Sequence, residues 1–540
     1  MTAVSSSPDV ASTPRLRVTP TIGYLPESVT TQDLQRWLSH LITPSNAATK
    51  TTIAPFTLEP IVELPLSNEA AVDSAFAMSR QAQVKWARMP VSARARIMLR
   101  FHDLMLERRD QGLDIAQLET GKARMHALEE ILDVAITSRH YARTSEKLLK
   151  VQRHAGAFPV ITSAVEVRHP KGVVGIISPW NYPITLAVTD AIAALMAGNG
   201  VVLKPDLQTT LTALWAIDLM YEAGLPEGLF GVVAGEGVEI GPMITARGDY
   251  IMFTGSTRVG REVAATCGER LVGCSMELGG KNAMIVCDDA NIGKAAEIAV
   301  RACFTNTGQL CISMERIYVH ASVREQFTDA FLARTEKLRL GAQIGWGADI
   351  GCLISQKQLD TVSAHVDDAV ANGAVVLAGG QKRPDVGPLF YEPTVLTNVS
   401  EKMLCFGTET FGPVVSIYGF DTEDEAIALA NDTTYGLNAS VITKDAKRGR
   451  EIAKRLHSGT VNVNEAYATA WSALGGSMGG MGDSGLGRRH GREGLLKYTE
   501  AQTIGTQRIM GWGIPPKVTD KQWAGALVGF VRGMKIVGRK

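Results

Sequence analysis

The feature that most constrains this chain is an alternation. Between residues 172 and 269, short runs dense in Val and Ile are each followed by a helix-length segment: "GVVGIISP" precedes "WNYPITLAVTDAIAALMAG", "GVVLKP" precedes "TALWAIDLMYEAG", and "YIMFTGS" precedes "TRVGREVAATCG". A run that is apolar at every position suits a strand buried on both faces, and two parallel strands need a crossover long enough to be a helix. The segment therefore reads as βαβ units forming a parallel sheet covered on both faces, an α/β fold. "GLFGVVAG" adds a strand, and a second α/β region, about 280–480, repeats the alternation with "AMIVCDD", "RIYVHAS" and "AVVLAGG". Upstream, residues 68–149 are rich in Ala, Arg, Leu, Met and Glu; "RARIMLRFHDLMLERRD" repeats apolar residues at three and four, which predicts consecutive helices.

At 540 residues the chain is too long for one core, so two or three domains are expected. Its 55 basic and 55 acidic residues give a net charge of +0, which removes the electrostatic case for a nucleic-acid or anionic-membrane partner and points to a small ligand. Seven cysteines with no CxxC pair argue against a disulfide framework or a structural zinc site. They favour a reducing compartment, the cytoplasm, and no metal site is expected. The leader "MTAVSSSPDVASTPRLRVTP" lacks the apolar run of a secretory signal, and no window is apolar enough for a membrane span. The end of the chain, "WAGALVGFVRGMKIVGRK", has the pattern of a basic amphipathic helix. Such a helix can lie on a membrane surface, but it reads here as packing against its own or a neighbouring subunit.

The chemistry centres on "RACFTNTGQLCISMER" (301–316). Cys303 sits among apolar residues at helical spacing and reads as a small core hydrophobe. Cys311 follows the small polar residues of "NTGQ", where a thiol is expected to be exposed, polar-surrounded and free to act as a nucleophile. Upstream, "SMELGGKN" puts Glu277 beside two glycines, where a carboxylate pointing into a cleft suggests a general base.

No G-x-G-x-x-G follows a strand, and "GEGVEIG" (235–241) misses the pattern by one residue. In "FTGSTRVG", Gly255 and Ser256 open a helix and would offer backbone N–H groups and a hydroxyl to a phosphate. Lys204, ending "GVVLKP", would be a charged donor at the carboxyl edge of the sheet, where open α/β folds bind ligands. By the residues alone, such a turn is more often a plain strand-to-helix connection, and Lys204 reads equally as a solvated lysine.

Six motifs fall in one order: "PWNYP" (179–183), "LKP" (203–205), "FTGS" (253–256), "ELGGKN" (277–282), "NTGQLC" (306–311) and "ETFGPV" (409–414). In order and spacing they resemble the aldehyde dehydrogenase superfamily over about Leu64 to Thr506. "KGVVGIISPWNYP" and "GRRHG…EGLLKYTE" are similar to its bacterial NADP-type succinate-semialdehyde dehydrogenases. The resemblance implies a Rossmann-like cofactor domain (51–147 and 168–279), a second α/β catalytic domain (280–480) and a small β oligomerisation element (148–167 and 495–510). Residues 1–50 would then be a variable leader and 511–540 a basic amphipathic tail. It further implies a homodimer or homotetramer joined through the hairpin near Leu148–Val167.

Residue by residue, the resemblance makes Cys311 the nucleophile, with the Asn181 side chain and the Cys311 backbone N–H as the oxyanion hole. Glu277 becomes the base that activates water against the thioester. Trp180 and Ser256, after Gly255, would flank the cofactor pyrophosphate, and Lys204 would bond the adenosine ribose. Glu409, backed by Phe411, would hold the nicotinamide ribose, and the Leu278 backbone would reach the carboxamide. Where strict NAD enzymes of the family carry a glutamate, this chain has Leu207, so NADP is expected to be accepted, with NAD possible.

Two departures bear on the aldehyde. The arginines that hold the substrate carboxylate in animal succinate-semialdehyde dehydrogenases correspond here to Thr189 and Thr305, which cannot make a guanidinium's bidentate grip. Leu310, Tyr467 and Trp471 line the expected mouth and suit an uncharged aldehyde. A distal glutamate of the family is replaced by Arg489; Arg488, Arg489 and His490 are each read as surface salt-bridge residues, with a replacement anion site as the other reading. Three alternatives stand beside succinate semialdehyde oxidation: a broad-specificity dehydrogenase of uncharged aldehydes, an acylating enzyme that uses coenzyme A, and a catalytically silent relative. Retention of Glu277 favours hydrolysis over transfer to coenzyme A, and an intact Cys311 disfavours the silent relative.

Overall fold

The computed structural model describes residues 25–155, 162–508 and 513–536. The first 24 residues of the expected leader, the tip of the expected hairpin (156–161), and residues 509–512 and 537–540 near the expected tail lie outside them.

The Val/Ile runs between 172 and 269 form strands that are buried almost along their whole length. Val173–Ile177, Gly200–Lys204, Phe230–Val232, Tyr250–Thr254 and Gly273–Glu277 are parallel, in the spatial order 273, 250, 173, 200, 230. A short antiparallel strand, Gly485–Leu486, closes one edge against Met276 and Glu277. Strand order reverses between Val173–Ile177 and Tyr250–Thr254, which puts the ligand crevice of an open α/β sheet at the carboxyl ends of those two strands. "PWNYP" and "GS" emerge there.

A second sheet has seven strands: Val375–Ala378, Thr394–Thr397, Val414–Phe420, Met314–His320, Asn282–Val286, Asn438–Ile442 and Thr460–Val463, in that order. Its first pair is antiparallel and the rest parallel. Only four residues, 278–281, separate the two sheets, so Glu277 ends one and Asn282 begins the other. A third sheet pairs Gln152–Ala155 with Thr162–Pro170 and, over nine residues, Thr162–Pro170 with Thr499–Gln507.

The helices predicted before residue 150 are Glu69–Arg88, Val91–Glu107, Arg109–Thr120 and Arg124–Leu149. Two of them deliver buried carboxylates to helices that start at the crevice. Glu119 accepts from the backbone N–H of Leu211 and Thr212 (3.0 and 2.7 Å), capping Thr210–Glu222. Glu130 accepts from Ile184 and Thr185 (2.8 and 3.2 Å), capping Pro183–Met196, whose own N-cap, Tyr182, makes no side-chain cap. Satisfying these orphan donors with an anion also suits the positive end of the helix dipole.

The ends of the chain differ from expectation. The helix Thr31–Leu38 begins with a capping box at Thr30 and Asp33 and buries Leu34 and Trp37 completely, so residues 25–50 belong to the fold. Apolar residues at Leu34, Trp37 and Leu38 give that helix a core-facing stripe, and Leu41 just after it is buried too. At the other end, Asp520–Ile536 is helical, fully buries no residue and exposes Val528, Phe530, Val531 and Ile536. No described helix is long and apolar enough to cross a membrane.

Candidate active site

The "NTGQLC" segment owes its shape to backbone conformation. Asn306, Thr307 and Gly308 have φ of 51°, 58° and 69°, three consecutive left-handed residues. Two non-glycine residues hold this strained region because neighbours fix them. The Asn306 N–H donates to His126 (3.1 Å), Asn306 Nδ2 to the carbonyls of Asn181 and Gln309 (both 3.0 Å), and Thr307 Oγ1 to Gly351 O (3.1 Å). The turn brings Cys311 out of the Ile292–Phe304 helix and stops it just before strand Met314–His320.

The expected exposed, polar setting is not what forms. Residues 305–310 are all buried and Cys311 is half-buried. Its thiol is pushed up to about 12, by burial first and then by Glu409 and Glu277. The resting sulfur is therefore a protonated thiol facing two carboxyl groups. Cys303 is a core residue, as read, 1% exposed.

Glu277 and Glu409 are the two carboxyls whose charge acts on that thiol. Glu277 is 4% exposed, and its Oε1 has no hydrogen-bond partner. Burial pushes its carboxyl up to about 7, against the pull of Arg489 and Lys497. Glu409 is pushed up to about 8 by burial and by Glu315, and accepts from the Gly280 N–H at 2.9 Å. The double glycine of "ELGG" is required here. A β-carbon on Gly279 would collide with the Glu409 carboxylate, and one on Gly280 would lie 2.8 Å from the Cys311 carbonyl oxygen. Asn282 Nδ2 then donates to Cys311 O and Ser313 O, both at 2.7 Å. Glu315, ion-paired with Lys281, receives the backbone N–H groups of Thr410 and Phe411 (3.0 Å each) and so sets the loop that carries Glu409.

Asn181 is buried at the crevice. Its Nδ2 donates to Gln309 O at 3.1 Å, which uses one of its two hydrogens. Its backbone carbonyl is held by Lys122 Nζ (2.7 Å), itself paired with Glu130 at 2.5 Å in full burial. One buried ion pair thus both caps the helix after Asn181 and fixes Asn181.

Of the expected cofactor residues, Trp180 and Phe411 meet edge to face, 5.6 Å between centroids. Ser256 begins Thr257–Glu269 without a side-chain cap, unlike the carboxylate-capped neighbours at 183 and 210. The Gly255 N–H donates to Glu277 O at 3.0 Å. The Leu278 N–H is engaged by Ser484 O (3.0 Å), so its backbone offers an acceptor. Lys204 is 4% exposed, its charged form disfavoured by burial and supported by Asp206 and Glu236. Leu207 is buried in the main core. An uncapped helix N-terminus and a carboxylate seated in a cradle that a β-carbon would fill suit a nucleotide's phosphate and ribose.

At the mouth, Tyr467 OH bonds Glu129 Oε1 (2.7 Å) and Thr305 Oγ1 (3.0 Å). Glu129 Oε2 and the Tyr182 hydroxyl are buried without partners. The lining of Leu310, Tyr467 and Trp471 thus includes a carboxyl that sequence reasoning missed. Arg489 and His490 are corrections: both are buried (6% and 5%), and Arg489 pairs internally with Asp190 at 2.9 Å and Thr189 at 2.6 Å. Arg488 is half-buried and donates to Gly480 and Gly487 carbonyls.

A family model described as Aldehyde dehydrogenase family matches residues 42–504. A Mycobacterium tuberculosis protein with the provisional name succinate-semialdehyde dehydrogenase (NADP+) 2 is 52% identical over 493 residues, 91% of this chain and 95% of that one. The crystal structure of succinate-semialdehyde dehydrogenase from Burkholderia pseudomallei superposes with a TM-score of 0.82 at 32% identity, covering 85% of this chain and 95% of that one. Betaine aldehyde dehydrogenase from Staphylococcus aureus, solved with NAD+, gives 0.82 at 30% identity over 87% of this chain and 95% of that one.

Proposed function

The chain belongs to the aldehyde dehydrogenase family, and from that premise we propose that it oxidises succinate semialdehyde to succinate through a thioester on Cys311, with NADP as cofactor. The observation that carries the mechanism is the half-buried Cys311 thiol, acted on by the buried carboxyl of Glu277 and the half-buried carboxyl of Glu409.

When bound, the nicotinamide cofactor supplies the two-electron acceptor that aldehyde oxidation requires. The uncapped start of Thr257–Glu269, with Gly255, Ser256 and Trp180, would receive its pyrophosphate. Lys204 would meet the adenosine ribose, and Glu409, Phe411 and the Leu278 carbonyl the nicotinamide half. Leu207 puts no carboxylate against a 2′-phosphate.

Cys311 Sγ attacks the aldehyde carbon as its proton passes to the Glu277 carboxylate, which hands it on to solvent before the hydrolytic step. The carbonyl oxygen becomes an alkoxide, stabilised by the second hydrogen of Asn181 Nδ2 and by the Cys311 N–H, each worth about 3 kcal/mol. Once the carbon is oxidised, the acyl group rests on sulfur. Glu277 takes a proton from water, the hydroxyl adds to the thioester carbon, and the carbon–sulfur bond breaks to release acid and thiol.

In the same reading, residues 51–147 and 168–279 are the cofactor domain and 280–480 the catalytic domain. Residues 148–167 and 495–510 form an oligomerisation element whose strand Thr499–Gln507 is exposed at all but its first residue. A homodimer or tetramer in the reducing cytoplasm, where the seven free cysteines stay reduced, fits this design.

A second reading, oxidation of uncharged aldehydes, is favoured by Glu129 beside Tyr467, since a carboxyl at the mouth disfavours an anionic substrate. Reduced-nicotinamide absorbance with succinate semialdehyde, hexanal and benzaldehyde, each with NADP and with NAD, decides. Succinate semialdehyde with NADP is expected to give the highest kcat/KM. The substrate assignment fails if that aldehyde is the poorest of the three, and the cofactor assignment fails if NAD is preferred more than about tenfold.

A further inference from the structure

Behind Glu277 lies a buried charge cluster that the proposed chemistry leaves unused. Asp190, the one charged residue of the buried helix Pro183–Met196, accepts from Arg489 (2.9 Å) on one oxygen and from Lys497 (3.3 Å) and Tyr498 OH (3.2 Å) on the other. Arg489 also donates to Thr189 at 2.6 Å, while its Nε is buried without a partner. Two cations thus share one paired anion, and a surplus positive charge in a dry interior is tolerated only if another anion faces it.

The chain path supplies that anion. Met478 and Arg489 exchange both backbone hydrogen bonds (2.8 and 2.6 Å). The next residue, Gly479, abuts Glu277: a β-carbon there would lie 3.2 Å from Glu277 Oε1, the oxygen without a partner. Gly485, on the same loop as Arg489, is the strand partner of Glu277. We propose that Arg489, locked by Asp190 and Thr189, is a positioning residue that holds a positive potential behind Glu277 and keeps this buried carboxyl able to serve as the base for thioester hydrolysis. The inference rests on Glu277 being that base.

The groups facing Glu277 are Arg489, Lys497 and Arg488 on the positive side, and Asp190 and the Cys311 thiol on the other; Asp133 faces Arg489 from the helix Arg124–Leu149. Burial raises Glu277, and the cations oppose it. Loss of Arg489 therefore moves ionisation of Glu277 to higher pH, and loss of Asp190 moves it to lower pH.

The test is the pH profile of kcat for the full-length enzyme, saturated with NADP and substrate, together with the pre-steady-state burst of reduced cofactor. R489Q is expected to shift the acid limb up by at least one pH unit, reduce kcat at pH 7 at least about fivefold with recovery towards pH 9, and expose a burst as hydrolysis becomes slow. R489K should restore the limb, and D190N should shift it the opposite way, which keeps the proposal testable even if R489Q does not fold. A loss of kcat equal at every pH, or a D190N limb displaced in the same direction as that of R489Q, overturns it. So does a rise in KM confined to succinate semialdehyde with the neutral butanal unaffected, since Arg489 would then be reading the substrate. If E277Q keeps wild-type turnover and limb, the base assignment itself fails, a result distinct from any R489Q outcome.

Discussion

Gly308 and Gly412 meet backbone to backbone: a β-carbon on Gly308 would collide with the Gly412 carbonyl oxygen. The contact joins the turn before Cys311 to the loop that carries Glu409, so nucleophile and proposed ribose ligand share one backbone joint.

Gly308→Ala is accordingly expected to lower stability by about 2 kcal/mol or more, from the clash and a φ of 69°. Urea midpoints and KM for NADP check this. An alanine variant with unchanged midpoint and KM would mean the joint is soft.

Glu277 titrates differently folded and unfolded, at about 7 against 4.5. The folded chain therefore binds the extra proton, and the stability associated with protonated Glu277 is full below about pH 4.5 and lost as pH rises through 7. At 1.4 kcal/mol per pH unit, E277Q should be up to about 3 kcal/mol more stable than wild type at pH 8 and equal to it at pH 4. Thermal unfolding at both values reads the difference; a gap that is constant with pH removes the basis for this shift.

The Cys311 thiol, raised to about 12 in the resting enzyme, should react slowly with iodoacetamide at pH 7.5, its rate climbing about tenfold per pH unit without a plateau below pH 10. At pH 9 both Glu409→Gln and Glu277→Gln should accelerate alkylation, Glu409→Gln more, because each removes an anion facing the sulfur. A plateau near pH 7 in the free enzyme would contradict the burial seen here.

Lys122→Met leaves Glu130 charged and unpaired at zero exposure, and should cost about 3–5 kcal/mol of stability. Pairing it with Glu130→Gln should recover over half of that. In both variants kcat is expected to fall, since the Asn181 carbonyl loses its 2.7 Å ammonium partner. Guanidinium midpoints and steady-state rates test the two halves separately.

The sheet strands were legible because Val173–Ile177 and all of Gly200–Lys204 before its final lysine are apolar, a local signal that tertiary context reinforces. The catalytic motifs were legible because glycines at 279, 280 and 308 record close approaches in the sequence itself. Lys122, Glu130, Glu129 and Glu315 were missed. Glu129 and Glu130 sit on an amphipathic helix, where a charged residue reads as solvent-facing, Lys122 lies in the link before that helix and Glu315 in a strand, and Glu130 acts on Ile184, 54 residues away. Two signals pointed to such partners: Pro183 starts a helix whose N-cap is Tyr182, so its orphan N–H groups need an outside acceptor, and Asp190 is the one charged residue of that largely apolar helix, so it needs a buried cation. Arg489 was noticed as a departure but assigned to the surface, because nothing local reveals that its loop turns inward. Exposure of Cys311 was expected from the small residues before it, whereas their left-handed turn folds them into the interior.

The antiparallel strand Gly485–Leu486 has a consequence for synthesis. The chain finishes Gly273–Glu277, goes on to build the whole seven-stranded sheet, and only then returns to lay Gly485 beside Glu277. Until roughly nine-tenths of the polypeptide has left the ribosome, that border stays unzipped and Arg489 has not yet been made, so a nascent or prematurely terminated chain bears the thiol without a completed hydrolytic half.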